Sequence, residues 1–331
     1  MKKILNSATT YVDQSLKGLC LAHPEFYKQP KARLICRTNI NTKSKVGIVT
    51  GGGSGHLPIF TGYVGVGLLD ASAVGDVFAS PSSDLIADAI KVADGGKGVL
   101  LLYGNYGGDV MNFDMAKEAV EFEDDIQCTT VLATDDIASA KPSESEKRRG
   151  VAGMIYGFKL AGAMAETGAE LEEVTRIAQK TMDATKTIGF ALSPCTLPAI
   201  GEPTFNIADD EMEMGMGIHG EPGIWRSKIK SADEIAIEMF DALATEFDFE
   251  EGDVVSILVN SLGATPLEEL YIIFQKIHDL FESIKVSIYM PFVGRYATSM
   301  EMAGISLTVC KLDDELKELL SAPAECAFMK V

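Results

Sequence analysis

The chain has 331 residues, 47% hydrophobic and 23% charged, which is the composition of a soluble globular protein, long enough for two domains with ordinary cores. Its formal net charge of -19 repels a nucleic-acid backbone over most of the surface, so direct DNA or RNA binding is not expected. The opening MKKILNSATTYVDQSLKGL lacks the continuous apolar core of a signal peptide, and no later segment is apolar for long enough to span a bilayer; a cytoplasmic protein is expected.

In chain order, residues 4–20 carry the period of an amphipathic helix, and HPEFYKQPKARL is expected to be a connecting segment. KVGIVTGGGSGH then reads as a buried parallel strand whose C-terminal end opens into a glycine loop. A helix is expected near Pro58, then a β-like ASAVGDVFAS run, a helix over 83–93 and the strand GVLLLYG. Helix and strand alternate again through VMNFDMAKEAVEF and CTTVLATDD, which predicts a parallel, doubly wound sheet for the first half. SAKPSESEKRRG, with Lys147, Arg148 and Arg149 together, reads as a solvated turn, although such a triplet could guide an anionic partner. Residues 150–183 are Ala/Gly-rich and helical, with small residues suited to close helix packing.

From about Thr187 the texture turns proline-rich, FALSPCTLPAIGEPTF, and marks the entry to a second domain. Helices are expected over 231–244, 266–281 and 313–320, with strands DVVSILVNSLG, VSIYMPFVG and ISLTVCKLD between them. The expected architecture is therefore α/β in two domains, 1–186 with a three-layer parallel sheet and 187–331 with a smaller, mixed sheet.

Three glycine-rich turns carry the candidate chemistry. GMGIHGEPG, 215–223, sets His219 among four glycines; GGGSGH ends on His56; NYGGD ends on Asp109. Glycines allow backbone conformations closed to other residues and close approach by a ligand, which points to His219 as the reactive group, although a histidine in such a loop can also be a surface turn residue. Two of the chain's 4 histidines sit in loops of this kind, and that concentration favours the reactive reading. Asp109 on its own could also be a turn residue or a helix N-cap, the lesser reading. GGGSGH has no Lys-Ser/Thr to complete a P-loop and does not follow GxGxxG spacing, so ATP binding by this chain alone is not expected. The 6 cysteines, Cys20, Cys36, Cys128, Cys195, Cys310 and Cys326, form no CxxC pair and have no histidine spaced as a metal partner; reduced thiols and no metal are expected.

GGGSGH, GDVFASP, NYGGDVMNF, RRGVAG, KTIGFALSPCTLPAIGEPTF, MGMGIHGEPG, NSLGATPLEELY and RYATSMEMAGISL together resemble, in order and spacing, the substrate-binding K subunit (DhaK) of dihydroxyacetone kinases, over nearly the whole chain. The resemblance implies a two-domain α/β fold and a homodimer. It implies a covalent hemiaminal between His219 and the ketone carbon of dihydroxyacetone, a step that suits a neutral imidazole nucleophile and a carbonyl electrophile. It also implies that His56 and Asp109 hydrogen-bond the substrate hydroxyls, that Asp109 is the general base in phosphoryl transfer, and that Gly52 and Gly53 offer backbone groups near the ligand. No cofactor is implied in this chain, because ADP in that system resides on a separate L subunit charged through the phosphoenolpyruvate phosphotransferase system.

Two positions depart from the kinase pattern. Leu57 stands where the kinases usually have a glutamate, and Gly104 stands where they usually have a lysine that can offset charge as phosphate arrives. Capture groups kept and flanking polar groups lost is similar to the noncatalytic paralogue DhaQ, a dihydroxyacetone-binding coactivator of a TetR-like transcription factor. A sensor of that kind is the favoured expectation, and a catalytic K subunit partnered by the kinase L subunit is the alternative.

Overall fold

The computed structural model describes residues 2–39 and 44–331. Its first sheet holds β1 (Tyr27–Lys31), β2 (Leu34–Arg37), β3 (Gly47–Ser54), β4 (Ala71–Val77), β5 (Val99–Gly104) and β6 (Cys128–Ala133), in the spatial order β1-β2-β4-β3-β5-β6. Pairing of β3 with β4 and β5, and of β5 with β6, is parallel, while β1 and β2 close one edge antiparallel. Helices cover both faces, as the near-continuous apolar strands require. On one face α2 (Ser83–Ala93) and α3 (Gly107–Glu123) pack over Val49, Val99 and Leu101. On the other, α1 (Tyr11–Ala22), α4 (Met154–Glu166) and α5 (Leu171–Asp183) pack over Ile48, Leu100 and Leu102.

The second sheet is mixed. It holds β7 (Thr185–Ser193), β8 (Glu211–Met214), β9 (Trp225–Lys228), β10 (Val254–Ser261), β11 (Ser287–Ile288), β12 (Phe292–Gly294) and β13 (Ala303–Leu312). β10, β13, β7, β8 and β9 pair antiparallel in that order, with β11 and β12 parallel to β10. Alternation along β10 sends Val255, Ile257 and Val259 under α6 (Ala232–Ala244) and α7 (Leu267–Ser283), and Leu258 to the core shared with α4. The Ala/Gly content of α4 thus serves a helix buried almost all round, since it lies between the two sheets. A serine cap with a reciprocal Glu234 bond starts α6 at the expected place.

Several expectations shift. Helix α1 starts at Tyr11 after a 3-10 turn, where the Ser7 and Thr10 hydroxyls bond each other (2.8 Å) and compete with helix bonding. The segment expected to connect is a hairpin, β1 and β2, with Pro30 tolerated because β1 is an edge strand. No α-helix forms after Pro58; a 3-10 turn over Thr61–Tyr63 follows Phe60 at φ 65, a conformation outside the right-handed helix. The strand expected over 286–294 is interrupted by Met290 at φ 48 and Pro291. The second sheet begins at Thr185, and α8 (Asp314–Ser321) with the hairpin β14 (Glu325–Cys326) and β15 (Met329–Lys330) packs back into the core of the first sheet. Among the described residues no helix is long and apolar enough to cross a membrane.

Asp135, just past β6, joins the two sheets. Its carboxylate, fully buried, accepts from Val151 N (2.9 Å), Gly153 N (2.8 Å) and the Thr187 hydroxyl of β7 (2.6 Å). Asp135→Ala would strand the two backbone donors and leave the Thr187 hydroxyl only Thr308, and leaving buried polar groups unpaired sets an expected loss of about 3 kcal/mol or more in urea unfolding. A loss below about 1 kcal/mol would refute the carboxylate's role as the joint.

Candidate functional site

The three glycine-rich turns meet where the carboxyl ends of β3, β4 and β5 face the second sheet, the position at which open α/β sheets bind ligands. His219 comes from the turn between β8 and β9. Its ring packs edge-on against Tyr106 (centroids 4.8 Å apart), His56 (4.8 Å) and Phe78 (5.2 Å), and its side chain remains partly exposed, at 23%. Tyr106 is held in turn by a bond from its hydroxyl to the Gly150 carbonyl (3.0 Å).

Glu221 orients the His219 ring. One carboxylate oxygen accepts from the His219 backbone N–H (2.9 Å) and the other lies 3.0 Å from Nδ1. Burial would raise the Glu221 pKa, but the His219 hydrogen bond, the His219 charge and Arg149 outweigh it and bring it to about 2. An ionised carboxylate only accepts, so Nδ1 carries the proton, and in the neutral ring the lone pair lies on Nε2. Gly217 is what lets the carboxylate come this close: a Cβ there would lie 2.2 Å from Glu221 Oε2. Arg149, 3.8 Å from the same oxygen, is itself fixed by Asp136 (2.7 Å).

The basic triplet is therefore no solvated turn. Arg148 is fully buried in a two-pronged pair with Glu246, both bonds 2.8 Å, and Arg149 braces the site; Lys147 alone is solvated. The carboxylates that neutralise the arginines lie 13 and 98 residues away, and no local pattern announces them.

His56 and Asp109 flank His219 from the first sheet. His56 stacks on Phe78 (4.7 Å, 13°) and points Nδ1 at the Thr298 carbonyl (2.7 Å), an acceptor, so Nδ1 holds the proton here too. Its Nε2 is buried without a partner. Burial, aided by the charge of His219, depresses the His56 pKa to about 3, so the ring is neutral across the physiological range. Asp109 is the third residue of α3, near the positive end of the helix dipole, and the N-cap position is held by Tyr106 instead. Burial lifts its pKa to about 6 against the opposing Ser80 hydrogen bond and His219 charge, and Oδ1 has no partner. Gly52 and Gly53 belong to β3, whose register with β4 shifts between Gly52 and Ser54; a Cβ on Gly53 would lie 2.7 Å from Ala79 N and 2.8 Å from Phe78 Cα. That close packing brings Phe78 against His56.

Leu57 is an exposed apolar side chain (44%) beside this loop. A Cβ on Gly104 would meet the Tyr106 ring at 3.0 and 3.1 Å, so a side chain there presses on the ring that abuts His219. The one group of possible metal-ligating side chains among the described residues, His278, Asp279 and Glu282, is exposed on α7 and separate from these turns.

The Dak1 domain model matches residues 17–328. The chain belongs to the Dak1 family. Within it, the chain is 45% identical over 315 residues (95% of each chain) to the Listeria innocua protein "PTS-dependent dihydroxyacetone kinase 1, dihydroxyacetone-binding subunit DhaK". It is 38% identical over 347 residues (98% of this chain, 97% of the other) to the Escherichia coli protein "PEP-dependent dihydroxyacetone kinase, dihydroxyacetone-binding subunit DhaK". Its fold is similar to the solved "Dihydroxyacetone kinase operon co-activator Dha-DhaQ", with TM-score 0.88, 34% identity and coverage of 94% and 96%. The chain thus resembles both kinase subunits, at 38–45% identity, and a co-activator, at 34%.

The raised Asp109 pKa has a measurable consequence. Between pH 3.8 and about 6 the folded chain keeps a proton that the unfolded chain releases, so Asp109 costs stability as pH rises through that window. Asp109→Asn removes the cost and is expected to stabilise the free protein by roughly 1–3 kcal/mol at pH 8. The gain should shrink toward zero at pH 4 in urea unfolding; a pH-independent difference would exclude the buried carboxylate as its source.

Proposed function

We propose that this chain captures dihydroxyacetone as a hemiaminal on His219 and acts as a ligand sensor, a coactivator of a TetR-like transcription factor of a dihydroxyacetone kinase operon. The observation that carries the ligand assignment is the pair of buried acceptors without donors, His56 Nε2 and Asp109 Oδ1, beside a histidine whose Nε2 lone pair is free. A three-carbon ketone with a hydroxyl at each end offers one O–H to each acceptor and an electrophilic carbon to the nitrogen; glycerol offers no such carbon. In the capture step His219 Nε2 bonds to the ketone carbon, the C=O electron pair moves to oxygen, and that oxygen takes a proton from water, the hydroxide left behind being neutralised by buffer acid in bulk solvent. The ring becomes a cation facing the ionised Glu221, which stabilises the adduct electrostatically. The resemblance to a dihydroxyacetone-binding subunit and to a co-activator supports the same ligand.

The sensor role is supported by Gly104 and Leu57, positions at which the chain lacks the lysine and glutamate of the kinase pattern. The charge of -19 directs any regulatory action through a protein partner rather than DNA. A ligand signals only by binding one conformation better than another, and a covalently held ketone at the junction of the two sheets meets that condition by contacting both. The kinase-subunit reading has one observation of its own: an Asp109 pKa of about 6 suits a general base near neutral pH. In either case the homodimer implied by the family is the expected assembly.

With 13C-labelled dihydroxyacetone, the ketone signal should give way to a hemiaminal carbon in wild type and persist in His219→Ala. Glu221→Gln should weaken capture by roughly tenfold through loss of the charge facing the adduct. An adduct retained by His219→Ala, or glycerol bound as well as dihydroxyacetone, would overturn the assignment. Sensor and kinase subunit separate in a second experiment, in which competent L and M subunits and a TetR-type regulator are each supplied. Ligand-dependent binding to the regulator with absent or very slow phosphoryl transfer is expected; turnover like that of a true K subunit would replace the sensor reading with the alternative.

A further inference from the structure

On the far side of the His56 loop lies a cavity of about 400 Å³, between α1, the 53–59 segment and the 295–301 segment. Its volume suits a small organic molecule. Leu16, Leu19 and Ile59 give it an apolar floor, and Leu57 adds an apolar wall. The charges at its mouth are unbalanced. Lys3 is matched by Glu301 (2.5 Å), but Lys2 and Arg295 form no salt bridge among the described residues. Two uncompensated cations over an apolar floor, on a protein of net charge -19, form a local exception to the surface field.

The same two segments hold His56. The Thr298 backbone N–H donates to the His56 carbonyl (3.3 Å), the Thr298 hydroxyl to the Leu57 carbonyl (3.0 Å), and Met300 N–H to the Gly55 carbonyl (2.8 Å), while the Thr298 carbonyl accepts the His56 ring proton. Gly53, Gly55, His56, Thr298 and Met300 all line the cavity, so an occupant touches both sides of this strap.

We propose that this cavity is a second ligand site, for a small organic anion with a phosphate or carboxylate head on a short apolar stem, and that its occupation changes the affinity of the His219 site. The head pairs with Arg295 and Lys2, and the stem lies over Leu16, Leu19 and Leu57. Leu57 permits this; a carboxylate at that position would face the incoming anion with like charge.

Calorimetric titration with hexyl phosphate and with hexanoate, beside 1-hexanol and inorganic phosphate, tests the proposal and identifies the preferred head. One or both amphipathic anions should bind saturably, with the alcohol and the bare phosphate at least about tenfold weaker. Arg295→Gln and Leu57→Glu should each weaken binding by about tenfold or more, and His219→Ala should leave it intact. That last variant separates this site from the proposed ketone site, because failure of one leaves the other measurable. Saturation with the anion should also shift the dihydroxyacetone affinity of wild type several-fold, and the reciprocal titration should show the same factor. No binding by either amphipath, binding insensitive to Arg295→Gln and Leu57→Glu, or binding abolished by His219→Ala would overturn the site. An unchanged dihydroxyacetone affinity would overturn the coupling.

Discussion

An ionised carboxylate at Glu221 decides which nitrogen of His219 carries the ring proton. A free imidazole exchanges its proton between two nitrogens, and only the deprotonated one is a nucleophile. Glu221 takes both the backbone and the ring N–H of the same histidine, so the ring is fixed in orientation and in tautomer at once. That arrangement needs a missing Cβ at Gly217, a counter-charge at Arg149 and a second carboxylate, Asp136, to anchor the arginine. The chain of charge runs from the end of β6, through the loop before α4, into the second sheet. The His219 turn is thus braced by the first sheet although it belongs to the second.

This bracing explains why the junction is built from polar groups. Asp135 and Asp136 are neighbours at the end of β6: the first ties the start of α4 to β7, the second aligns Arg149. An apolar junction would hold the sheets together as well, but it would carry no directional information about the His219 turn. Hydrogen bonds with fixed geometry carry it, at the cost of burying charge. The helix between the sheets, α4, supplies the apolar part of the contact and is small-residued because both of its sides are occupied.

Much of this was legible in the sequence because it rests on local signals. The parallel strands appear as apolar runs, α2 and α6 begin at serine caps, and the three turns appear as glycine clusters carrying His56, Asp109 and His219. What escaped was set at long range. Arg148 and Arg149 look like a solvated basic run until Glu246 and Asp136 are brought to them by folding. Glu221 stands two residues from His219 in plain view, yet its function depends on the positions of Gly217 and Arg149, which no periodicity encodes. The hairpin β1–β2 carries Pro30 among the basic residues Lys28, Lys31 and Arg33, composition that reads as a loop and is tolerated only because β1 is an edge. The C-terminal return of α8 to the first sheet comes from tertiary packing alone, since its amphipathic pattern is indifferent to which core it covers.

The site's polar groups divide into those satisfied within the chain and those left open. Glu221, Asp135 and Asp136 have their partners, and these groups hold the geometry. His56 Nε2 and Asp109 Oδ1 have none, and each is buried. A fold optimised for stability alone would not keep two such acceptors a short distance from a free nucleophile, because each costs free energy until a donor arrives. The shifts in their pKa values express the same cost in protons: His56 gives up its charge and Asp109 tends to hold its proton, both in response to burial. Under the proposed function, a ligand with two hydroxyls supplies a donor at both places, so part of its affinity is already stored in the free protein. The binding preference therefore follows from what the protein leaves unsatisfied.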